Sequence, residues 1–238
     1  MTARRVGILG GTFDPIHCGH VDTATAAMHA LDLTGMFVIP ASLPPHRPQP
    51  CASAFHRFAM VAMAVAGHPG WLASDIEVLS PQTPSFTSDT LRRFRDQGYA
   101  STELFFVLGA DAFNEIATWR DYPALLDLAH FVVVSRPGTA ATQLRDRLPA
   151  LANRMIGPSA ALQSPERTVI ILIEAPTPDV SSTAIRRRVA LGETVAGMVP
   201  AGVLQHIEQH RLYRSTPAER RAPDTPPPQG AGRLHDQD

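Results

Sequence analysis

Short apolar runs alternate with helix-patterned segments along most of the chain, and this alternation restricts the fold more than any other feature. The runs are Val6–Leu9, Met36–Ile39, Leu104–Leu108, Phe131–Val134 and Val169–Ile173. They lack polar alternate positions, as strands buried on both faces do. Between and beyond them, Gly19 to about Leu31, Ser53–Ala66, Thr87–Arg95, Ser182–Leu191 and Ala201–His210 read as helices, with Ser53 as an N-cap. Trp71–Leu79 alternates enough to read as a further strand. Such an order predicts an α/β fold: a Rossmann-like, doubly wound, mainly parallel sheet with helices on both faces. Right-handed crossovers place the loops after Leu9, Ile39, Leu108 and Ile173 at one end of that sheet, where ligands bind.

Size and composition agree. The chain has 238 residues, 44% of them hydrophobic, enough for one full core. Residues 1–214 are expected to form a single domain. Residues 215–238 are rich in Pro, Gly and charge without apolar period, and are expected to be a disordered tail. The net charge of −1 disfavours nucleic-acid and membrane partners, which usually require a basic field. No apolar run reaches the ~20 residues that span a bilayer. The N-terminal "MTARRVGILGG" reads as a first strand and not as a signal peptide. Two cysteines, Cys18 and Cys51, supply no disulfide framework, so a reducing cytoplasm is expected.

All 21 basic residues are arginine. A phosphate-loop lysine, a Schiff-base lysine and a kinase-type lysine are therefore excluded. Anions must be held by arginine, histidine, backbone N–H groups or a metal.

The loop after the first strand reads Gly10-Gly11-Thr12-Phe13-Asp14-Pro15-Ile16-His17-Cys18-Gly19-His20. It lacks the G-x-G-x-x-G fingerprint of nicotinamide dehydrogenases. It delivers His17 and His20 to the start of a helix, where free N–H groups and the positive dipole end attract anions. Zinc is disfavoured: adjacent residues such as His17 and Cys18 cannot easily point at one ion from a helix, and helical histidine pairs usually use a spacing of four. Capping or surface histidines are the plain alternative.

The string resembles the G-x-F-D-P-x-H-x-G-H signature of the HxGH nucleotidyltransferase superfamily. Val180-Ser181-Ser182-Thr183-Ala184-Ile185-Arg186 is similar to the I-S-S-T-x-I-R segment of the same superfamily. Further stretches narrow the resemblance: Pro44-Pro45-His46-Arg47, Pro84-Ser85-Phe86-Thr87, Gly109-Ala110-Asp111 with Trp119 and Tyr122, and Ser135-Arg136-Pro137-Gly138. Together they resemble the bacterial nicotinate-nucleotide adenylyltransferases over about residues 5–213. That family often carries P-P-H-K and P-S-Y-T. Arginine keeps the charge as a planar fork, and Phe86 keeps a ring without its hydroxyl.

The resemblance implies transfer of AMP from ATP to nicotinate mononucleotide, giving deamido-NAD and pyrophosphate. It places Gly10, Gly11, Thr12, Phe13, His17, His20, Gly109, Asp111, Ser182, Thr183 and Arg186 around ATP. His17, His20 and Arg186 are the catalytic candidates, and Ser182 or Thr183 a candidate helix cap. Around the mononucleotide it places His46, Arg47, Phe86, Thr87, Trp119 and Arg136. For Asp111 a helix N-cap is the alternative, for Trp119 a half-buried core residue, and for His46 and Arg47 a solvated loop. Arg187 and Arg188 fall on the solvated helix face, and the other histidines receive no role. Mg²⁺ is expected to arrive on ATP without a protein cage. The competing readings are a phosphopantetheine adenylyltransferase-like enzyme, a preference for the amide mononucleotide, and a non-catalytic nucleotide-binding protein. Oligomeric state is left open.

Overall fold

The computed structural model describes residues 4–44, 49–79, 84–163 and 166–214. His46 and Arg47, and the expected tail 215–238, lie outside the described residues. Among the described residues seven strands form one sheet: β1 (Val6–Gly11), β2 (Gly35–Pro40), β3 (Trp71–Ala73), β4 (Leu104–Gly109), β5 (His130–Val134), β6 (Met155–Ile156) and β7 (Ile170–Ile173). Their order is β3-β2-β1-β4-β5-β7-β6, and every pairing is parallel. The longer helices are α1 (Cys18–Leu31), α2 (Ala54–Val65), α3 (Thr87–Asp96), α7 (Ser182–Leu191) and α8 (Ala201–Gln209). Single turns α4 (Ala110–Phe113), α5 (Leu144–Arg147) and α6 (Pro158–Ala161) punctuate the crossovers.

The strand sequences explain the layering. Successive side chains of a strand point to opposite faces. In β4, Phe105 and Val107 join the core under α1, α2, α7 and α8, while Leu104, Phe106 and Leu108 join the core under α3 and α4. In β5 and β7 the residues Val132, Val134, Ile171 and Ile173 face the first core, and Phe131, Val133, Ile170 and Leu172 the second. Both faces are covered, so a polar alternate would be stranded in either core.

The winding direction reverses between β1 and β4. From β1 the chain proceeds to β2 and β3 on one side, and from β4 to β5, β6 and β7 on the other, with β6 outermost. Ligands of such sheets bind in the crevice beyond the carboxyl ends at this switch point. Here those ends are Gly11 and Gly109.

Three expectations need correction. The strand at Trp71 stops at Ala73: Ser74 N–H makes the last ladder bond, to Val38 O of β2, and the chain then turns, with Leu79 N–H closing on Asp75 O. The alternating Ile76 and Val78 belong to that turn. Strand β6 was not expected; two residues on the sheet's far edge leave no periodic trace. The α7 cap is Ser181, whose Oγ accepts from Ala184 N–H at 3.2 Å, and not Ser182 or Thr183. Ser53 does cap α2, accepting from His56 N–H at 3.3 Å. No helix among the described residues is long and apolar enough to cross a membrane.

Candidate active site

The loop from β1 to α1 is a tight turn. Phe13 has a left-handed backbone, φ +50°, and the Asp14–Pro15 peptide is cis. A left-handed residue other than glycine costs about 1–2 kcal/mol. The Phe13 ring is buried, and such burial returns about 1.5–3 kcal/mol. The ring stands edge-on to His20 with centroids 5.0 Å apart. The Phe13 side chain therefore buttresses a histidine.

Distant side chains grip the carbonyls of this loop. Arg57 Nη1 donates to Thr12 O at 2.7 Å. Arg186 Nη1 donates to Asp14 O at 2.8 Å, and Ser182 Oγ to Pro15 O at 2.9 Å. Thus α2 holds one end of the loop and α7 the other. The two sequence motifs, more than 160 residues apart, meet in one crevice.

His17 is the N-cap residue of α1 and His20 lies in its first turn. Their rings stack, with centroids 3.7 Å apart and planes at 27°. His17 N–H donates to His20 Nδ1 at 3.2 Å. An accepting Nδ1 puts the proton of the neutral ring on Nε2, so Nε2–H is the donor that His20 can present. His17 is buried, and its Nδ1 has no hydrogen-bond partner among the described residues. Burial, and secondarily the Arg136 guanidinium, lowers its pKa to about 4. His17 is therefore neutral at physiological pH, which lets the two rings stack without like-charge repulsion.

Arg136, at the end of β5, stands against this pair. Its Nη1 donates to Gly19 O at 3.4 Å, and its Nε lies 3.9 Å from Asp111 Oδ1. Close approach explains two glycines. A Cβ on Gly19 would sit 3.0 Å from Arg136 Nη1 and 3.2 Å from His17 Nδ1. A Cβ on Gly109 would sit 3.0 Å from Arg136 Nε and collide with Asp111. Asp111 is not a helix cap, since Gly109 holds that position of α4 and Asp111 lies within the turn. Arg136 was grouped by sequence with the mononucleotide residues, whereas its contacts are with the His17–Gly19 turn and Asp111.

At α7, Arg186 Nη2 donates to Thr183 Oγ1 at 3.3 Å. A cleft of about 360 Å³ opens beside them, lined by Cys51, Thr183, Arg186, Arg187, Ala190 and Tyr213. Arg187, expected on the solvated face, is exposed but borders this cleft; Arg188 pairs with Glu193 at 3.6 Å.

The second group gathers at the start of α3. Phe86 is the N-cap residue and Thr87 begins the helix. Arg120 covers the Phe86 ring at 4.5 Å and pairs with Asp89 at 3.1 Å. The adjacent Trp119 is half-buried and meets Phe106 edge-on at 6.1 Å. Ser85 N–H donates to Leu43 O at 2.9 Å, bringing Leu43, beyond the end of β2, to the same place.

Three positioning residues escaped sequence reasoning. Asp14 is buried, and its carboxylate accepts from Cys51 N–H (2.7 Å), Ala52 N–H (3.1 Å) and the Tyr213 hydroxyl (2.8 Å). Burial and that carboxylate push the Tyr213 pKa far above the phenol range, fixing it as the donor. Arg57 is fully buried and also donates to the carbonyls of Ala41, Ser42 and Ala52. Its one trace in sequence is a charge on the apolar stripe of α2, in line with Met60, Val61 and Ala64.

Comparison with known proteins now defines the class. Residues 8–188 match the family model described as cytidylyltransferase-like, so the chain is a nucleotidyltransferase. A Roseiflexus protein named "Probable nicotinate-nucleotide adenylyltransferase" is 44% identical over 215 residues, covering 90% of this chain and 100% of the relative. A Pseudomonas fluorescens protein of the same name is 38% identical over 212 residues, covering 89% of this chain and 98% of the relative. The chain belongs to the nicotinate-nucleotide adenylyltransferase family. The fold agrees with the Plasmodium falciparum nicotinic acid mononucleotide adenylyltransferase complexed with NaAD: TM-score 0.65, 17% identity, 88% of this chain and 97% of that one.

Proposed function

We propose that the chain transfers the adenylyl group of ATP to nicotinate mononucleotide, giving deamido-NAD and pyrophosphate. One observation carries the reading: Ser182 and Arg186 are seated on the carbonyls of Pro15 and Asp14, so the α7 tip and the His17–His20 turn share one crevice at the switch point.

The chemistry suits these residues. The nucleophile is a phosphate monoester whose second pKa is about 6, so it is largely dianionic at neutral pH. No base is needed to remove a proton. The difficulty is bringing two polyanions together, which positioning and electrostatics resolve. In this reading His20 Nε2–H donates to the α-phosphate oxygen that gains charge in the transition state. His17 stays neutral and orients it. Arg136 and Arg186 supply fixed positive charge on either side, and the hydroxyls of Thr12 and Thr183 complete the cradle. Asp111 accepts from a ribose hydroxyl.

At the other end, Trp119 stacks on the pyridine ring. The N–H groups at the start of α3, with Arg120 over Phe86, favour a carboxylate over a carboxamide. His46 and Arg47 keep their sequence-based assignment to the mononucleotide phosphate.

The site fits a magnesium ion carried by the nucleotide. Asp14 is occupied by three donors, and Asp111 faces Arg136. Neither offers the carboxylate cage of a resident ion, whereas triphosphate oxygens and water satisfy Mg²⁺ directly. When bound with the nucleotide, that ion would neutralise part of the phosphate charge.

Pyrophosphate release with Mg·ATP should be measured against nicotinate mononucleotide, nicotinamide mononucleotide and phosphopantetheine. The acid mononucleotide is expected to turn over fastest. Preference for phosphopantetheine, or ATP binding without pyrophosphate release, would overturn the proposal.

A further inference from the structure

Outside the crevice, three imidazoles converge between α2 and α8. His206 and His210 are four residues apart, the spacing that puts two side chains on one helix face. His56 reaches across from the first turn of α2, and its Nδ1 lies 3.1 Å from His206 Nε2. Ring centroids are 4.3 Å apart for His206 and His210, and 4.9 Å for His56 and His210. One ring nitrogen from each residue lies within 4.8 Å of the other two. Among the described residues this is the one group of three or more His, Cys, Asp or Glu side chains with such convergence.

Three nitrogens bound at ~2.1 Å in a tetrahedral site stand about 3.4 Å apart. One pair is already at 3.1 Å, and the remaining gap closes by rotating His210, which is exposed, and His56, which is half-buried. His206 is buried, and burial, then the neighbouring His210 and His56, holds it below the usual imidazole range. Imidazole suits borderline cations, whereas Mg²⁺ prefers oxygen ligands, so the reaction's own magnesium does not compete.

We propose that His56, His206 and His210 form a binding site for a zinc-class divalent cation that clamps α8 to α2, with water in the fourth position. The clamp would brace both outer supports of the nucleotide crevice. His56 precedes Arg57, which grips the β1–α1 loop, and α8 leads into Tyr213, which holds Asp14.

The test uses the full chain without added histidines, freed of metal by chelation. Co²⁺ is titrated by equilibrium dialysis and visible spectroscopy, then displaced with Zn²⁺. The expected result is one ion per chain with the strong d–d bands of a four-coordinate site, displaced by Zn²⁺. His210→Ala and His56→Gln, at less buried positions, should each weaken binding by at least about tenfold. Circular dichroism should confirm both variants folded. Adenylyl transfer with Mg·ATP by metal-free His210→Ala should match the metal-free wild type. No wild-type binding would mean a hydrogen-bonded imidazole row and nothing more. Wild-type affinity in both variants would put the ion elsewhere. Either result overturns the proposal.

Discussion

Replacing Arg57 by methionine keeps most of the side-chain volume and removes the guanidinium. Four carbonyls lose a donor: Thr12, Ala41, Ser42 and Ala52. A buried acceptor left unsatisfied costs about 1–3 kcal/mol, so the gross loss for four is on the order of 4–12 kcal/mol. Removing a buried charge returns several kcal/mol of desolvation. The net destabilisation should be about 2–4 kcal/mol, within a total of about 5–15 kcal/mol, so the variant folds. For a domain of this size the Tm should fall by roughly 5–15 °C. The catalytic loss should be larger than stability alone explains. Thr12 and Ala41 begin the loops after β1 and β2, and a misplacement of about 1 Å can cost 10²-fold. Urea unfolding near neutral pH gives the first quantity, and pyrophosphate release at saturating substrates, well below the variant's Tm, gives the second. Arg57→Lys keeps the charge without the fork and should recover little of either. A methionine variant with destabilisation under about 0.5 kcal/mol and wild-type kcat would refute the reasoning.

Other perturbations follow from the same contacts. His20→Ala should lower kcat by about 10²–10³, as loss of one oxyanion-type donor does, with little change in urea midpoint; rates within a few-fold of wild type would remove its assigned role. Tyr213→Phe deletes one donor to Asp14 and should cost about 1–2 kcal/mol, raising the KM for ATP as the loop loosens; unchanged unfolding would show that the two N–H bonds suffice. His130 accepts from Val169 N–H at Nδ1 (3.1 Å), and its Nε2 lies 3.2 Å from Thr102 O; burial lowers its pKa to about 4. Its folded pKa is depressed below the unfolded ~6.5, so between those values the unfolded chain binds the extra proton and stability falls as pH falls. His17 acts in the same direction, and the slope of unfolding free energy should approach ~1.4 kcal/mol per pH unit for each. His130→Gln should flatten its share, and an unchanged pH profile would contradict this.

What could be read from sequence was whatever depends on local pattern. The apolar runs became strands because both faces of the sheet are covered, and the run at Leu104–Leu108 divides its residues between two cores. The His17–His20 turn and the Ser182–Arg186 segment could be paired only through resemblance, since no local rule joins residues that far apart. Arg57 and Asp14 stayed hidden for a related reason. Their partners are mostly backbone groups on loops brought together by the sheet, and backbone groups leave no residue signature. The His206–His210 spacing was visible, yet His56 completes the cluster across a helix contact that periodicity cannot reveal. The strand at Trp71 was overextended because alternation in Ile76 and Val78 also satisfies a packed turn.

The central claim is that the imidazole pair and the α7 arginine act on one triphosphate. A double-mutant cycle on kcat/KM for ATP, using His20→Ala, Arg186→Ala and the pair, measures this directly. Residues sharing a network couple by about 0.5–3 kcal/mol, so the double variant should lose clearly less than the two single losses combined. Losses that add within about 0.3 kcal/mol would contradict a shared site.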